Sequence, residues 1–591
     1  MATEKMSRRT FLQGAAAGAL ATAGAGVLAG QSAKSAWADE ASDEELEEET
    51  STTVSASETF DDGSIEWDKQ ADLVIVGSGT GLIAALAATD AGGSVIVLEK
   101  AGATGGVTWN ISGCTNWVPG NNVMLEEGYE ENSDEDVLQY LKLADAYQGS
   151  SDERKLDYIV NAKKVLQYYQ DEWGFTFKCD WTGDYYNNEY AVRRGRAVSF
   201  WNEEEEAFYE SGYDIYQDFV APLMEERDVE FLTSTPASAL FHNASGEVTG
   251  VLATTEDGET LKIGANKGVL LSAGGFDWNE DMVRRYLNVP IGATQAYSQN
   301  TGDGIRMGQA VGADLENMSA TWGGSSIITN TDGTIELSDD NVFDYGTYRG
   351  CPFCITVNKH GNRFFNESCA YAPSSNVYDG YDSGDYSYLN VPAYMIFSDN
   401  YVQILGWPDP SASFDLTDVD TSDEARPDFV QKFDTLEELA ETMGINAENL
   451  ENTVTRFNTF CETGTDEDFH RGEGPYEDAN YDLENGYAFT EDAWPLVEDL
   501  PNRCLGPITS PYYVVVEAPG SVNTCGGIRV NTNFQALDPE GEPIPGLYAS
   551  GSNCGGPNGS CYGGAGGSIG PGFYGAFRAA CSAMGVDLVD F

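Results

Sequence analysis

The chain has 591 residues, with 96 acidic against 31 basic side chains and a formal net charge of −65. That balance argues against nucleic acid, whose phosphates must be neutralised by cations, and against an anionic membrane surface. Only three histidines, His242, His360 and His470, are present, so histidine-based metal or nucleophilic chemistry has little to work with and no metal site is expected.

In chain order, Ser7-Arg8-Arg9-Thr10-Phe11-Leu12 precedes a small-residue apolar run over residues 14–30, then Ala36-Trp37-Ala38. This is the pattern of a twin-arginine signal with an A-x-A cleavage site. The run is too short and too rich in Ala and Gly to span a bilayer well. Residues 1–38 are therefore expected to be removed, and the mature chain to act outside the cytoplasm, in the periplasm or at the cell surface. Such export carries folded proteins, which suits a cofactor loaded before transit. Removal takes away four basic groups (Lys5, Arg8, Arg9, Lys34) and one acidic group (Glu4), leaving 27 against 95, or −68. Residues 39–66 are acidic and poor in apolar side chains, and read as a disordered leader.

Residues 71–76 are a buried strand pattern, followed by Gly77-Ser-Gly79-Thr-Gly81 and an Ala-rich helix. A second strand, residues 94–98, ends before Glu99. A tight glycine turn lets backbone meet a pyrophosphate at a helix N-terminus, and an acidic residue about 20 positions on bonds a ribose. The third glycine comes one place early, with Leu82 at the usual position. The strand–turn–helix–strand–Glu setting makes this a dinucleotide site.

Three later segments follow: Gly105-Gly106-Val-Thr108-Trp-Asn-Ile-Ser112-Gly113, Ser272-Ala273-Gly274-Gly275-Phe276, and Ile544-Pro-Gly546-Leu-Tyr-Ala-Ser-Gly551. With the glycine turn, and in this order, they resemble the flavoprotein superfamily of fumarate reductases, urocanate reductases and 3-ketosteroid dehydrogenases, over about residues 67–585. The resemblance implies an α/β fold: a discontinuous Rossmann-like FAD-binding domain over residues 67–305 and 506–591, with an inserted α+β substrate-capping domain over 306–505. It implies FAD held by these motifs and by Lys100, Asp303, Ser568 and Ile569. Residues 181–215, with Tyr185, Tyr186, Tyr190, Phe200 and Trp201, have no clear counterpart; they either shape a substrate mouth or form an exposed aromatic loop.

The branch is read from absences and from one motif. The histidine that precedes Thr-Met-Gly-Gly in fumarate reductases is replaced in Ser521-Val-Asn523-Thr524-Cys525-Gly526-Gly527, and no histidine stands near Trp322. The late Asn-Arg-x-Gly-Gly motif appears as Cys561-Tyr562-Gly563-Gly564. A dicarboxylate needs cationic donors, so three anchors for one are missing. Tyr562-Gly-Gly-Ala-Gly566, followed by Gly570-Pro571, instead resembles the ketosteroid branch, where the tyrosine hydroxyl and a glycine N–H bond the substrate's ketone. Gly113-Cys-Thr-Asn-Trp117 looks like that branch too. For the proton, the resemblance offers Arg349, near the fumarate reductases' arginine, and Tyr371, at the ketosteroid branch's tyrosine. Arg363 and Glu367, in a segment similar to the family's N-x-x-G-x-R-F-x-N-E-S, are expected to brace the cap.

The expected activity is reduction of a C=C bond conjugated to a carbonyl in a neutral apolar substrate, a 3-oxo-steroid-like enone, by hydride transfer from flavin N5. Alternatives are a 3-ketosteroid dehydrogenase running oxidatively, a urocanate-, cinnamate- or fumarate-type acid reductase, and a flavin electron carrier with no substrate of its own. Eleven unclustered cysteines read as free thiols. No haem motif or donor domain is present, so electrons are expected from a separate donor protein, with any membrane contact made only through that partner.

Overall fold

The structure is a computed structural model describing residues 59–146, 149–209, 211–408, 420–483 and 493–587. The twin-arginine segment and the leader up to residue 58 lie outside the described residues. The disorder expected through residue 66 stops earlier: Thr59 is buried, and Phe60–Asp61 pairs in parallel with His242 and Asn243.

The first sheet grows from the buried runs. β1 (Lys69–Val76) leads through the glycine turn to α1 (Gly81–Asp90), whose residues Gly81 to Ala88 are all buried. Such all-round burial is what an Ala-rich helix without an exposed stripe requires. The chain returns as β2 (Val95–Leu98), parallel to β1. β3 (Glu230–Leu232) extends that edge in parallel, and β4 (Thr260–Leu271) lies parallel on the other side of β1. Pro543–Ala549 adds a further parallel strand to β4. Registers pair Val76 with Leu98 and Leu271, and Leu271 with Ala549. The carboxyl ends therefore lie side by side, which is where open parallel sheets bind ligands.

The second sheet is built round β5 (Thr321–Ile328) and β6 (Tyr512–Thr524), which pair antiparallel. Its order is Val342–Asp344, β5, β6, Ala393–Ser398, Cys354–Asn358. β6 begins after the expected edge at 505, and Ala293–Thr294, before the edge at 306, pairs with its Gly520 and Ser521. The pairing of this sheet thus crosses both expected domain edges, because β6 takes Ala293–Thr294 near its end, and its last residue, Thr524, accepts the Phe276 N–H of the turn after β4 at 2.9 Å. At that junction buried Asp277 accepts from the Ser521 hydroxyl at 2.7 Å, the Thr524 N–H at 3.1 Å and the Thr294 hydroxyl at 3.1 Å.

Within the cap, Arg363 forks onto Glu367 (2.7 and 2.6 Å) and Asp466 (2.8 Å), while Arg471 reaches Glu367 at 3.2 Å. Residues 181–215 are not a loose aromatic loop: Ala197–Asn202 pairs with Asn116–Trp117 and Phe177–Cys179, and Tyr185 and Phe200 are buried. α2 (Asp152–Trp173) and α3 (Ile569–Met584) flank this core, with α3 packed on α1. α3 opens at Ile569, two residues before Pro571, which sits in the first turn where its missing N–H costs nothing. All eleven cysteines are free thiols, ten of them buried.

Glu517, in the middle of β6, is fully buried beside Asp344 and accepts from the Thr356 hydroxyl at 2.8 Å. Burial, reinforced by the Asp344 charge, pushes its carboxyl from 4.5 up to about 8. The native state therefore keeps a proton that the unfolded chain loses above pH 4.5. This contribution to stability is complete below that pH and is lost as pH rises through about 8. Glu517→Gln cannot ionise. Its urea midpoint relative to wild type should be higher at pH 8 than at pH 5; equal differences at both would overturn this assignment.

Candidate active site

The carboxyl ends of β1, β2 and β4 open into a cavity of about 890 Å³ that runs on beneath the second sheet. Its floor is the glycine turn. Gly77 has φ +99°, and a Cβ there would meet the Ser272 carbonyl oxygen at 2.3 Å, so no side chain fits. Gly79 faces Thr108, with 3.1 Å from its notional Cβ to Oγ1. Gly81 points the other way, 2.7 Å by the same construction from Ile75 Cγ2. It does not line the cavity but lets α1 lie close on β1, which is the packing role of a third glycine even one place early.

Glu99 lines the cavity, with one oxygen accepting the Ser78 N–H (3.1 Å) and hydroxyl and the other accepting the Ala101 N–H at 2.9 Å. A carboxylate has about four acceptor sites, so capacity remains for a ribose hydroxyl. Lys100 pairs with Asp303 at 2.8 Å and bonds Thr301 at 2.9 Å. Gly106, Thr108, Ser112, Ala273, Gly274, Gly551, Ser568 and Ile569 also line the cavity. Besides Gly81, three of the expected cofactor residues lie outside this lining. Gly105 (φ +112°) caps a short helix and donates to the Ser78 hydroxyl at 2.8 Å. Gly113 is buried beside the turn. Gly275 packs against β6, where a Cβ would lie 2.1 Å from Thr524 Oγ1.

At the far end Tyr562, Tyr371 and Tyr345 reach the cavity. Tyr562 stacks on Tyr185 at 5.8 Å and meets Tyr371 at 5.4 Å. Tyr371 also meets Tyr185 at 5.2 Å and Tyr345 at 5.4 Å. Burial raises the Tyr562 phenol, with hydrogen bonds to Ser568 and Tyr371 pulling it partly back. Burial pushes Tyr371 well above the ordinary tyrosine range, with Tyr185 and Tyr562 adding to the shift. The Tyr562 hydroxyl lies 3.2 Å from Ser568 Oγ, long for an O–H···O bond. Gly566 lines the same end at φ +81°, its notional Cβ 2.2 Å from the Thr115 carbonyl oxygen. Among the described residues its N–H donates to no acceptor of the chain.

Arg349 is not brought to this end. It is fully buried, donating to the carbonyls of Glu367, Cys369 (3.1 Å) and Ala370 (3.2 Å) and to the Ser374 hydroxyl (3.2 Å). Its guanidinium holds the segment that carries Tyr371 and does not line the cavity.

The residues present fit a dinucleotide bound across the cavity. Beyond the turn and Glu99, the side-chain nitrogen of Asn300 and the side-chain oxygen of Asn523 are buried without a partner among the described residues, and both residues line the space. Such groups are costly unless a ligand satisfies them. Sequence reasoning passed over Asn300 and Tyr345. Asn523 was visible only as the residue replacing a histidine; Tyr185 was named only as part of a segment that either shapes a substrate mouth or forms an exposed loop, and its contacts with Tyr371 and Tyr562 come from far along the chain.

Residues 72–569 match the family of FAD-binding domains. The chain is 30% identical to a 4-oxocyclohexanecarboxylate 2-dehydrogenase of Sinomonas cyclohexanicum, over 85% of this chain and 90% of that one. It is also 30% identical to a 3-oxosteroid 1-dehydrogenase of Mycolicibacterium smegmatis, over 85% of this chain and 95% of that one. Among solved structures, the 3-ketosteroid delta1-dehydrogenase from Sterolibacterium denitrificans, in complex with 1,4-androstadiene-3,17-dione, superposes with a TM-score of 0.73 at 26% identity, covering 88% of this chain and all of that one.

A Gly77→Ala chain forces both positive φ and the Ser272 contact. It should purify with flavin absorbance per protein lowered about tenfold, and full loading would overturn the role given to the turn.

Proposed function

Because the chain belongs to the FAD-binding family and is a FAD-dependent oxidoreductase acting on carbon–carbon bonds, we propose that it reduces a C=C bond conjugated to a ketone in a neutral, largely apolar substrate. A 3-oxo-steroid-like enone is the type of molecule meant. One observation carries this reading. Among the described residues Lys100 is the single basic side chain lining the cavity, and it is paired with Asp303. The far end offers phenols, Val522 and amides. A carboxylate substrate would be a buried anion with no cation to meet it.

When bound, FAD supplies the hydride. The Tyr562 hydroxyl and the Gly566 N–H donate to the ketone oxygen and stabilise the enolate charge that grows there. The Tyr562 hydroxyl can leave its long contact with Ser568 to do so. Tyr371 then gives its phenolic proton to the α-carbon. Arg349 acts as a positioning residue, fixing the backbone on either side of Tyr371. The N-terminus of α3 at Ile569 faces the cavity, where its positive end favours the reduced, anionic cofactor. A bare electron carrier has no use for this phenol-lined extension. The twin-arginine motif supports an exported enzyme supplied with electrons by a separate protein.

A second reading is dehydrogenation, the direction in the names of the two relatives described above, in which Tyr371 must accept a proton as phenolate. Burial keeps the resting Tyr371 protonated, the form from which the reductive direction starts and which the oxidative direction must first ionise.

The test uses anaerobically reduced holoenzyme. 1,4-Androstadiene-3,17-dione should reoxidise the flavin and fumarate should not, while Tyr562→Phe slows the dienone reaction by about 10²–10³-fold. Oxidation by fumarate alone would overturn the reading. The acid form of Tyr371 persists until pH climbs past its raised pKa. The rate with Tyr371 intact should therefore stay flat from roughly pH 6 to pH 9, and Tyr371→Phe should slow it about 10²-fold or more.

A further inference from the structure

Behind the Tyr562 loop lies a bracket, Trp117, Asp184, Arg196 and Glu131, whose members do not themselves line the cavity. Gly563 and Gly564 rest on the fully buried indole of Trp117: a Cβ on the first would meet its ring at 2.7 Å, and on the second at 2.6 Å. The Trp117 indole N–H donates to Asp184 Oδ1 at 2.9 Å. Asp184 Oδ2 accepts from Arg196 Nη1 at 2.6 Å and from the Val192 N–H at 3.0 Å. Arg196, itself buried, closes on Glu131 through Nη2 at 2.7 Å. The same segment grips the loop backbone. Asp184 bridges Gly564, the Tyr185 N–H and the Tyr140 hydroxyl both donate to the Gly563 carbonyl, and the Trp117 N–H donates to the Gly566 carbonyl at 3.2 Å. Its other side is tied to the cap by Arg193 on Asp478 at 2.6 Å and by Gly183 against the Pro475 carbonyl.

We propose that Asp184 is a positioning residue for the donor pair: by holding the Trp117 indole on one oxygen and Arg196 on the other, it fixes the platform under Gly563–Gly564 and so the aim of the Tyr562 hydroxyl and the Gly566 N–H. The inference rests on the carbonyl-binding role given to that pair. Its physical basis is that two glycines cannot hold a loop rigid by themselves, whereas a donor pair works only if its aim is set before the charge develops. A planar ring against both glycines supplies the surface, and the buried carboxylate stops the ring from turning. Removing the carboxylate takes the acceptor from Arg196 Nη1 and from the Trp117 indole N–H, and the platform is free to shift.

A double-mutant cycle on the reduced holoenzyme tests this, reading single-turnover oxidation by 1,4-androstadiene-3,17-dione together with flavin content. Asp184→Ala should slow the step roughly 10- to 100-fold, the scale of a misplaced catalytic group, with flavin content unchanged. In a Tyr562→Phe background the same change should cost little, because the aim it sets no longer matters. Trp117→Phe keeps an aromatic ring but loses the N–H and the five-membered ring under Gly564; it should also slow the step with the same non-additivity, and it serves the cycle if Asp184→Ala does not fold. Equal slowing in both backgrounds, or lost flavin with an unchanged step rate, would overturn the proposal. Tyr562→Phe as fast as wild type would instead overturn the carbonyl reading, and this inference would fall with it.

Discussion

Asp277 is the point at which the two sheets become one enzyme. Its carboxylate is buried, and its three protein donors come from Thr294, Ser521 and Thr524, all in the strands that pair at the lower end of the second sheet. Burial raises its pKa, and those hydrogen bonds hold the rise in check. Two residues away Gly275 lies so close to Thr524 that a side chain would collide. The turn that follows β4 is therefore clamped to the end of β6. The nucleotide floor and the phenol-lined extension face each other across this joint.

The chain is strongly acidic, yet its interior uses cations sparingly and in fixed places. Arg196, Arg349, Arg363 and Arg471 are all buried, and each is engaged by carboxylates or carbonyls of the chain itself. Lone buried charges are expensive, so buried arginines come with such partners. As a result none of these four lines the cavity. The substrate end is left with neutral donors, and neutral donors suit a carbonyl whose charge appears only as the reaction proceeds.

The donor pair itself depends on an unusual backbone. Gly566 must take a positive φ beside Thr115, and Gly563 and Gly564 must lie against an indole. That freedom is useful only where something else restores rigidity, and here the surrounding aromatic side chains do so. Tyr185, Tyr371 and Tyr345 pack edge-on or face-on around the site. Burial in this packing raises the Tyr371 phenol well above the ordinary tyrosine range.

Much of the frame could be read from local pattern. The strand, the glycine turn, the buried Ala-rich helix and Glu99 are contiguous or regularly spaced, and each follows from backbone sterics or from the period of burial, so the sequence alone determined the dinucleotide floor. The Tyr562–Gly566 spacing was likewise local. Contacts between distant segments were not. Arg349 resembled a proton donor in one dimension, but folding surrounds it with the carbonyls of Glu367, Cys369 and Ala370. Tyr185 and Asp184 gained their places only when a segment without a recognisable pattern packed beneath the glycine loop. The strand after residue 505 joined the second sheet because hydrogen-bond pairing, which no linear motif encodes, drew it there. Sequence set the pieces whose geometry is decided within about twenty residues. Tertiary packing decided which side chains face the cavity, because burial, partners and pKa depend on neighbours brought from far along the chain.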